Sequence, residues 1–190
     1  MRVRGVVLAA GAGTRYGHPK VLARTDDGTP WVTRVAEALA AGGCDEVGVL
    51  LGARAEEALP LVPRRCDVTV VPDWRRGVSA TVRRALAAAA DSTADALLVV
   101  PVDVPGLPAS VCRRIVASAI GPAALVRAGF DGMPGHPVLI GRDHWAELAA
   151  AVTGDRGAGP LLAARGALVV ECGDLWDGAD TDLPQPISRR

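Results

Sequence analysis

The sequence predicts a single α/β domain of Rossmann-like, three-layer type, with a mostly parallel twisted sheet covered by helices on both faces. Two observations predict this fold class. Short apolar runs of strand length alternate with segments whose apolar residues recur at helical spacing, as in successive βαβ units. The length of 190 residues suits one domain with a full core. We expect the domain to span residues 1–184 and a loose C-terminal tail to span 185–190.

Turn and stop residues separate the predicted elements. Gly42-Gly43 ends the first helix, Pro60 stops the second, and Pro72 closes the third strand. The predicted strands are the apolar run from Val6, then 47–51, 67–71, 96–102, 123–127, 137–140 and 168–171. The predicted helices are 31–41, 53–59, 78–90, 109–119, 144–152 and 158–164. No internal repeat or long linker interrupts this order, which favours one continuous sheet.

Charge and cysteine content exclude several classes of function. The 21 basic and 21 acidic residues balance, without a basic tract, which argues against nucleic acid or an anionic membrane as the main partner. The four cysteines (Cys44, Cys66, Cys112 and Cys172) form no CxxC pair and suit buried free thiols in a reducing cytosol. The apolar start leads into Gly11 rather than a cleavage site, and the longest apolar runs are too short to span a bilayer. We therefore expect a soluble, cytoplasmic protein.

A glycine-rich stretch follows the first predicted strand. Residues 6–20 read Val-Val-Leu-Ala-Ala-Gly-Ala-Gly-Thr-Arg-Tyr-Gly-His-Pro-Lys. Glycines allow successive backbone N–H groups to face an anion, and Arg15 and Lys20 would add positive charge suited to a triphosphate. Lys20 is also the only lysine in the chain, which favours a role for a compact ammonium group. The simpler interpretation, in which the glycines only form a turn, stays open on this stretch alone.

The spacing of this stretch differs from two common nucleotide loops. Lys20 is followed by Val21 rather than by the serine or threonine of a P-loop, and Tyr16 replaces the third glycine of a dinucleotide fingerprint. The stretch resembles instead the Leu-Ala-Ala-Gly-x-Gly-Thr-Arg…Gly-x-x-Lys signature of nucleotidyltransferases with a GT-A-type fold. Within them it is most similar to the MobA/MocA-like branch of molybdenum cofactor cytidylyltransferases and guanylyltransferases. The resemblance implies a nucleotide site at Leu8, Ala9, Ala10, Gly11, Ala12, Gly13, Thr14, Arg15, Lys20, Gly77 and Ser79.

Aspartates are the candidate metal ligands. Asp103 follows a buried strand, so it should lie at the same sheet edge as the glycine-rich loop, although Asp before a Val-Pro pair also suits a simple turn. The resemblance implies that Asp103 binds metal, and that Asp180 and Asp182, in the segment 177–184, add further ligands. Hard carboxylate oxygens favour Mg²⁺ or Mn²⁺. Asp177-Gly178 alone would be an ordinary solvated turn.

Three further segments match the family in part. Gly77, Ser79 and Thr81 join a strand to a helix, where a turn and a helix cap would explain them equally well. The resemblance implies an acceptor side formed by His136, Asp155 and Arg156. The chain departs from the family pattern at Val102, Val104, Gly159 and Leu183.

The resemblance implies a Mg²⁺-dependent nucleotidyltransferase in which Arg15, Lys20 and Asp103 are the catalytic residues. The expected reaction transfers CMP from CTP to molybdopterin and releases pyrophosphate, since Leu-Ala-Ala-Gly is the form associated with cytidylyl transfer. GTP as donor, another small phosphate acceptor, and a non-catalytic accessory role in molybdoenzyme maturation remain alternatives. A molybdoenzyme that receives the cofactor is a further expected partner.

Overall fold

The computed structural model describes residues 1–181, so the predicted metal ligand Asp182 and the predicted tail lie outside the described residues. The strands are β1 (Val3–Ala9), β2 (Glu46–Leu51), β3 (Asp67–Val70), β4 (Ala96–Pro101), β5 (Leu125–Phe130), β6 (Met133–Gly141) and β7 (Leu168–Glu171). The α-helices are α1 (Trp31–Ala41), α2 (Ala55–Ala58), α3 (Val78–Ala90), α4 (Ala109–Ala117), α5 (Trp145–Ala151) and α6 (Gly159–Ala164).

The seven strands form one sheet in the order β3-β2-β1-β4-β6-β5-β7. Strand β6 runs antiparallel to both of its neighbours, and the other pairings are parallel. The carboxyl ends of β1 and β4 therefore meet at one edge, where the backbone N–H of Val102 donates to the carbonyl of Leu8 at 3.1 Å. The predicted fold class, an α/β domain with a mostly parallel sheet, is confirmed.

Helices cover both faces of this sheet because its central strands are apolar on both sides. In β4, the side chain of Leu98 packs into the core formed with α1 and α4, whereas Leu97 packs into the core formed with α3 and α5. Both leucines are completely buried. Burial of a leucine side chain is worth about 1.5–3 kcal/mol, so these two layers are the main source of stability. The alternation places one set of β4 side chains under α3, beside the candidate site.

The β5–β6 hairpin differs from the sequence-based prediction. The sequence predicts a strand over 137–140 only, but Met133 already belongs to β6 and pairs with Phe130 of β5. Asp131 (φ 51°) and Gly132 (φ 76°) form the turn between them. Both residues have positive φ, as the primed two-residue hairpin turns require, and Asp-Gly is a strong signal for such a turn. The glycines and prolines of residues 132–137 made a longer strand look improbable, so the predicted β5 and β6 are both shorter than the observed strands.

Two further findings concern the cysteines and the helices. All four cysteines are free; Cys66, Cys112 and Cys172 are buried and Cys44 is half-buried. Burial raises the pKa of the Cys112 thiol to about 12, which keeps it neutral and unreactive. Within residues 1–181, every helix is too short or too polar to cross a membrane.

Candidate active site

The loop after β1 is folded back tightly at Gly13. Gly13 has φ 61°, and a Cβ atom placed there would lie 2.0 Å from the carbonyl oxygen of His18. The backbone N–H of Gly17 donates to the carbonyl of Gly13 at 2.9 Å and closes the turn. Tyr16 holds the turn against the core, because its side chain is buried and the centre of its ring lies 5.4 Å from that of Trp31. Only glycine fits at position 13, as the sequence suggested for an anion-binding loop.

The loop ends at Lys20, which pairs with Asp103. The Nζ of Lys20 donates to Oδ2 of Asp103 at 2.9 Å. Their side chains are 14% and 23% exposed, so the pair is largely shielded from solvent, where charge interactions are stronger than at the surface. Asp103 follows the end of β4 by two residues. Two of the residues predicted to be catalytic therefore lie in direct contact across the sheet edge.

A cavity of about 390 Å³ opens above this pair, and we call it the loop cleft. Its lining includes residues 8–13, Lys20, Gly77, Thr81, Asp103 and Asp155. Most of the predicted nucleotide-binding residues thus share one cavity. Thr14 and Arg15 lie in an exposed turn outside this lining. Ser79 and Thr81 are both buried, and of the two only Thr81 lines the cleft.

The segment 154–157 packs against the start of α3. Gly77 has φ 94°, and a Cβ atom there would lie 2.5 Å from Oδ1 of Asp155. The backbone N–H of Ser79 donates to the carbonyl of Gly154 at 2.9 Å. Asp155, predicted on the acceptor side, therefore lines the loop cleft beside the predicted nucleotide-binding residue Gly77. Arg156 is exposed and lies outside the lining of the cleft.

The segment before residue 182 lies against Asp103. The backbone N–H of Thr181 donates to the carbonyl of Asp103 at 2.8 Å, which brings the neighbouring Asp180 to this region. Residues 1–181 contain no group of three or more histidine, cysteine, aspartate or glutamate side chains placed to hold a metal. Two aspartates in one region nevertheless fit a hard divalent cation, which proteins often bind through one or two carboxylates and substrate phosphates. The metal site with Asp103, Asp180 and Asp182 stays a prediction.

A second cavity of about 330 Å³ adjoins the loop cleft, and we call it the apolar cavity. Leu8, Val78 and Pro101 line both cavities. The apolar cavity lies between the sheet and α3, with aliphatic walls that include Val82, Leu86, Val99, Val138 and Ile140. Its two ionisable lining residues are Arg127 and His136. The two cavities together form a continuous site with a polar part and an apolar part.

His136 is electrostatically linked to both parts of the site. Desolvation by the surrounding protein lowers the pKa of His136, and the positive charge of Arg127 acts in the same direction. Asp103 and Asp180 oppose this shift, because their negative charges favour the protonated ring. The imidazole is therefore mainly neutral at pH 7.

Comparison with known proteins identifies the family. Residues 5–169 match the profile of the MobA-like NTP transferase domain. The chain belongs to this family. It is 34% identical over 200 residues to nicotine blue oxidoreductase of Paenarthrobacter nicotinovorans, covering 98% of this chain and 95% of that protein. It is 32% identical over 157 residues to molybdenum cofactor guanylyltransferase of Cereibacter sphaeroides, covering 79% of this chain and 77% of that protein.

The solved structures agree with this assignment. Rv0371c of Mycobacterium tuberculosis superimposes with a TM-score of 0.80 at 28% identity, covering 96% of this chain and 93% of that one. A complex of Rv0371c with manganese superimposes with a TM-score of 0.73 at 26% identity, covering 100% of this chain and 94% of that one. The predicted family and the predicted enzyme class, a nucleotidyltransferase, are confirmed. The molybdenum cofactor relative is named a guanylyltransferase, so the comparisons give no support to the expected preference for CTP.

Sequence reasoning missed three features of this MobA-like domain. Arg127 interrupts the otherwise apolar sequence of β5, which was a usable signal, but it was counted only as the end of a strand. Arg75 lines the loop cleft beside Trp74, with its guanidinium 4.4 Å from the centre of the indole ring. The apolar cavity had no signal in the sequence, because seven separate strands and helices contribute to its walls.

Proposed function

We propose that this MobA-like domain transfers a nucleotidyl group from a nucleoside triphosphate to the phosphate of a molybdopterin-type acceptor. The observation that carries this proposal is the Lys20–Asp103 pair at 2.9 Å, in a cleft lined by the glycine-rich loop. A cationic group beside a carboxylate is what transfer between phosphates requires. The carboxylate can hold a metal while the ammonium neutralises the transferred group.

The proposed reaction is an in-line displacement at the α-phosphorus. An oxygen of the acceptor phosphate forms the new P–O bond, the bond to the β-phosphate oxygen breaks, and pyrophosphate leaves with that electron pair. A phosphate monoester is already anionic near neutral pH, so the attack needs no general base. The main tasks of the protein are positioning and neutralisation of charge.

The residues of the loop cleft suit these tasks. Backbone N–H groups of residues 10–13 would bind the β- and γ-phosphates, because the turn at Gly13 leaves this backbone facing the cleft. Lys20 would neutralise charge at the α-phosphate. Arg15, in the exposed turn, would reach the terminal phosphates from the solvent side. The indole of Trp74 offers an apolar face for the base.

Asp103 and Asp180 would hold a divalent metal, with Asp182 as the third predicted ligand. A bound Mg²⁺ or Mn²⁺ would neutralise the triphosphate and activate its α-phosphorus for attack. The complex of Rv0371c with manganese supports the use of a divalent ion. The carboxylate of Asp103 has a second oxygen in addition to the one that accepts from Lys20, so both partners can be held at once.

Two donors compete in this proposal. The Leu-Ala-Ala-Gly form of residues 8–11 favours CTP, whereas the guanylyltransferase relative favours GTP. The test is pyrophosphate release from CTP, GTP, ATP and UTP, each with Mg²⁺ and molybdopterin. We expect release with CTP or GTP that is lost in Lys20→Ala and Asp103→Asn. Arg84→Gln, which removes an exposed charge outside both cavities, is the matched control and should keep full activity.

Silence with all four triphosphates would refute transfer to this acceptor. If the chain still bound a triphosphate under these conditions, a different phosphate acceptor or the accessory role would be favoured. Release that persists in both Lys20→Ala and Asp103→Asn would refute the assignment of the catalytic pair.

A second candidate function is reduction of an aromatic compound. It is favoured by the relative named nicotine blue oxidoreductase, which matches 98% of this chain, and by the aliphatic walls of the apolar cavity, which suit an uncharged ring system. The test is loss of NADH or NADPH absorbance with nicotine blue as acceptor. Turnover in this assay, together with no pyrophosphate release, would replace the transferase proposal.

A further inference from the structure

The walls of the apolar cavity suit a flat ring system. Val138 of β6 lies opposite Val99 of β4 on one side and Arg127 of β5 on the other. Helix α3 covers these strands with Val82 and Leu86. The volume of about 330 Å³ is within the range of small-molecule sites, and a bicyclic heteroaromatic ring would fill much of it.

Arg127 brings a positive charge into the wall of the apolar cavity. Its Nε is buried and has no hydrogen-bond partner among residues 1–181. Burial lowers the pKa of Arg127, and no carboxylate contributes an opposing effect. The residue as a whole is half-buried. A buried polar atom without a partner is unfavourable, and such atoms in folded proteins are nearly always paired. The arrangement therefore indicates an anion supplied by a ligand.

The border between the two cavities gives the position of that anion. Arg127 and His136 both line the apolar cavity. The apolar cavity and the loop cleft share Pro101, the last residue of β4, which precedes Asp103 by two residues. A molecule whose ring occupies the apolar cavity would extend its polar end towards the Lys20–Asp103 pair.

We propose that Arg127 binds the phosphate of the acceptor, and that the apolar cavity binds the acceptor's ring. The proposal rests on the proposed function, because it takes the acceptor to be the phosphate monoester of a heteroaromatic compound. Arg127 is suited to this task because its guanidinium can donate two hydrogen bonds to one phosphate. His136, mainly neutral at pH 7, can donate one more without adding charge.

The test uses 6-hydroxymethylpterin monophosphate as a probe and titration calorimetry as the readout. We expect Arg127→Gln to weaken binding of this probe by roughly 10- to 100-fold, because it removes charged hydrogen bonds. Arg127→Lys should recover part of the affinity, and Arg84→Gln should match the wild type. Binding of unphosphorylated 6-hydroxymethylpterin should not change in Arg127→Gln, and inorganic phosphate alone should bind more weakly than the monophosphate.

Val99→Phe tests separately whether the apolar cavity binds the ring of the acceptor. Val99 is half-buried in the cavity wall, so a phenyl group would project into the open space and leave Arg127 in place. We expect this variant to lose affinity for both pterins and to keep the wild-type affinity for the nucleoside triphosphate. Unchanged pterin binding in Val99→Phe, or unchanged monophosphate binding in Arg127→Gln, would overturn the proposal.

The calorimetry separates this proposal from the proposed function. Pyrophosphate release with an unchanged acceptor KM in Arg127→Gln would refute the role of Arg127 and leave nucleotidyl transfer intact. If the monophosphate bound in a manner that depended on Arg127, but no triphosphate released pyrophosphate, the role of Arg127 would stand and nucleotidyl transfer would be refuted. Melting temperatures of all variants should stay close to the wild type, which excludes unfolding as the cause of lost binding.

Discussion

Replacing Gly13 by alanine should disrupt the glycine-rich loop. The residue has φ 61°, where an L-residue with a side chain costs about 1–2 kcal/mol. For a domain of this size, that cost lowers the melting temperature by about 2–8 °C. The added Cβ would also lie 2.0 Å from the carbonyl oxygen of His18, so the turn itself must open. Opening moves the backbone N–H groups away from the phosphates, and we expect triphosphate affinity to fall at least about tenfold.

Gly11→Ala is the matched control within the same loop. A Cβ atom at Gly11 would have no other atom within 4 Å, and the substitution should leave the melting temperature unchanged. Calorimetry with a nucleoside triphosphate and thermal melting of both variants are the measurements. If Gly13→Ala melted at the wild-type temperature and bound the triphosphate as tightly, the tight turn would not be what forms the phosphate site.

Three further predictions concern charged groups. Lys20→Arg should lower kcat for pyrophosphate release by roughly 10²–10³-fold, because a bulky planar cation cannot replace the ammonium beside Asp103; steady-state kinetics will measure this. Arg4 is 8% exposed and donates to Glu46 and Asp67 at 2.7 and 2.8 Å. Arg4→Met should therefore lower the free energy of unfolding in urea by about 1–2 kcal/mol. A variant as stable as the wild type would contradict a structural role for Arg4. The pKa of His136 is lowered in the folded state, so the unfolded chain binds a proton at this residue more readily. The stability of the fold should therefore fall as the pH drops below about 6.5. His136→Gln should reduce this dependence of the melting temperature on pH.

The fold could be predicted because its signals are local. The apolar runs of β1 and β4 end in residues that continue directly into the loop and into Asp103, so the edge that carries the site followed from chain order alone. The hairpin between β5 and β6 was harder, since Pro134 and Pro137 lie within a strand rather than outside it. Pairing with β4 and β5 holds β6 in place despite these prolines, and pairing partners are set by tertiary structure rather than local sequence.

The candidate site was predictable to a different extent in its two parts. Nearly half of the residues that line the loop cleft come from one continuous stretch, residues 8–20, so its glycines and Lys20 could be found together in the sequence. The apolar cavity is built by side chains from β4, β5, β6 and α3 that lie far apart in the chain. Arg127 gains its significance only from what surrounds it. No pattern of neighbouring residues could have shown that its Nε lacks a partner.

This division bears on how members of the family differ. One relative is named a guanylyltransferase and another an oxidoreductase, so the shared fold does not by itself determine the reaction. A cleft formed by backbone N–H groups and a single lysine recognises phosphates in general, whatever they are attached to. In the proposed acceptor site, the identity of the second substrate would then depend on the adjoining cavity, where aliphatic walls and Arg127 would select both a ring and a charge. Exchange of the residues that line this cavity, rather than of the loop, is therefore the change expected to alter the reaction.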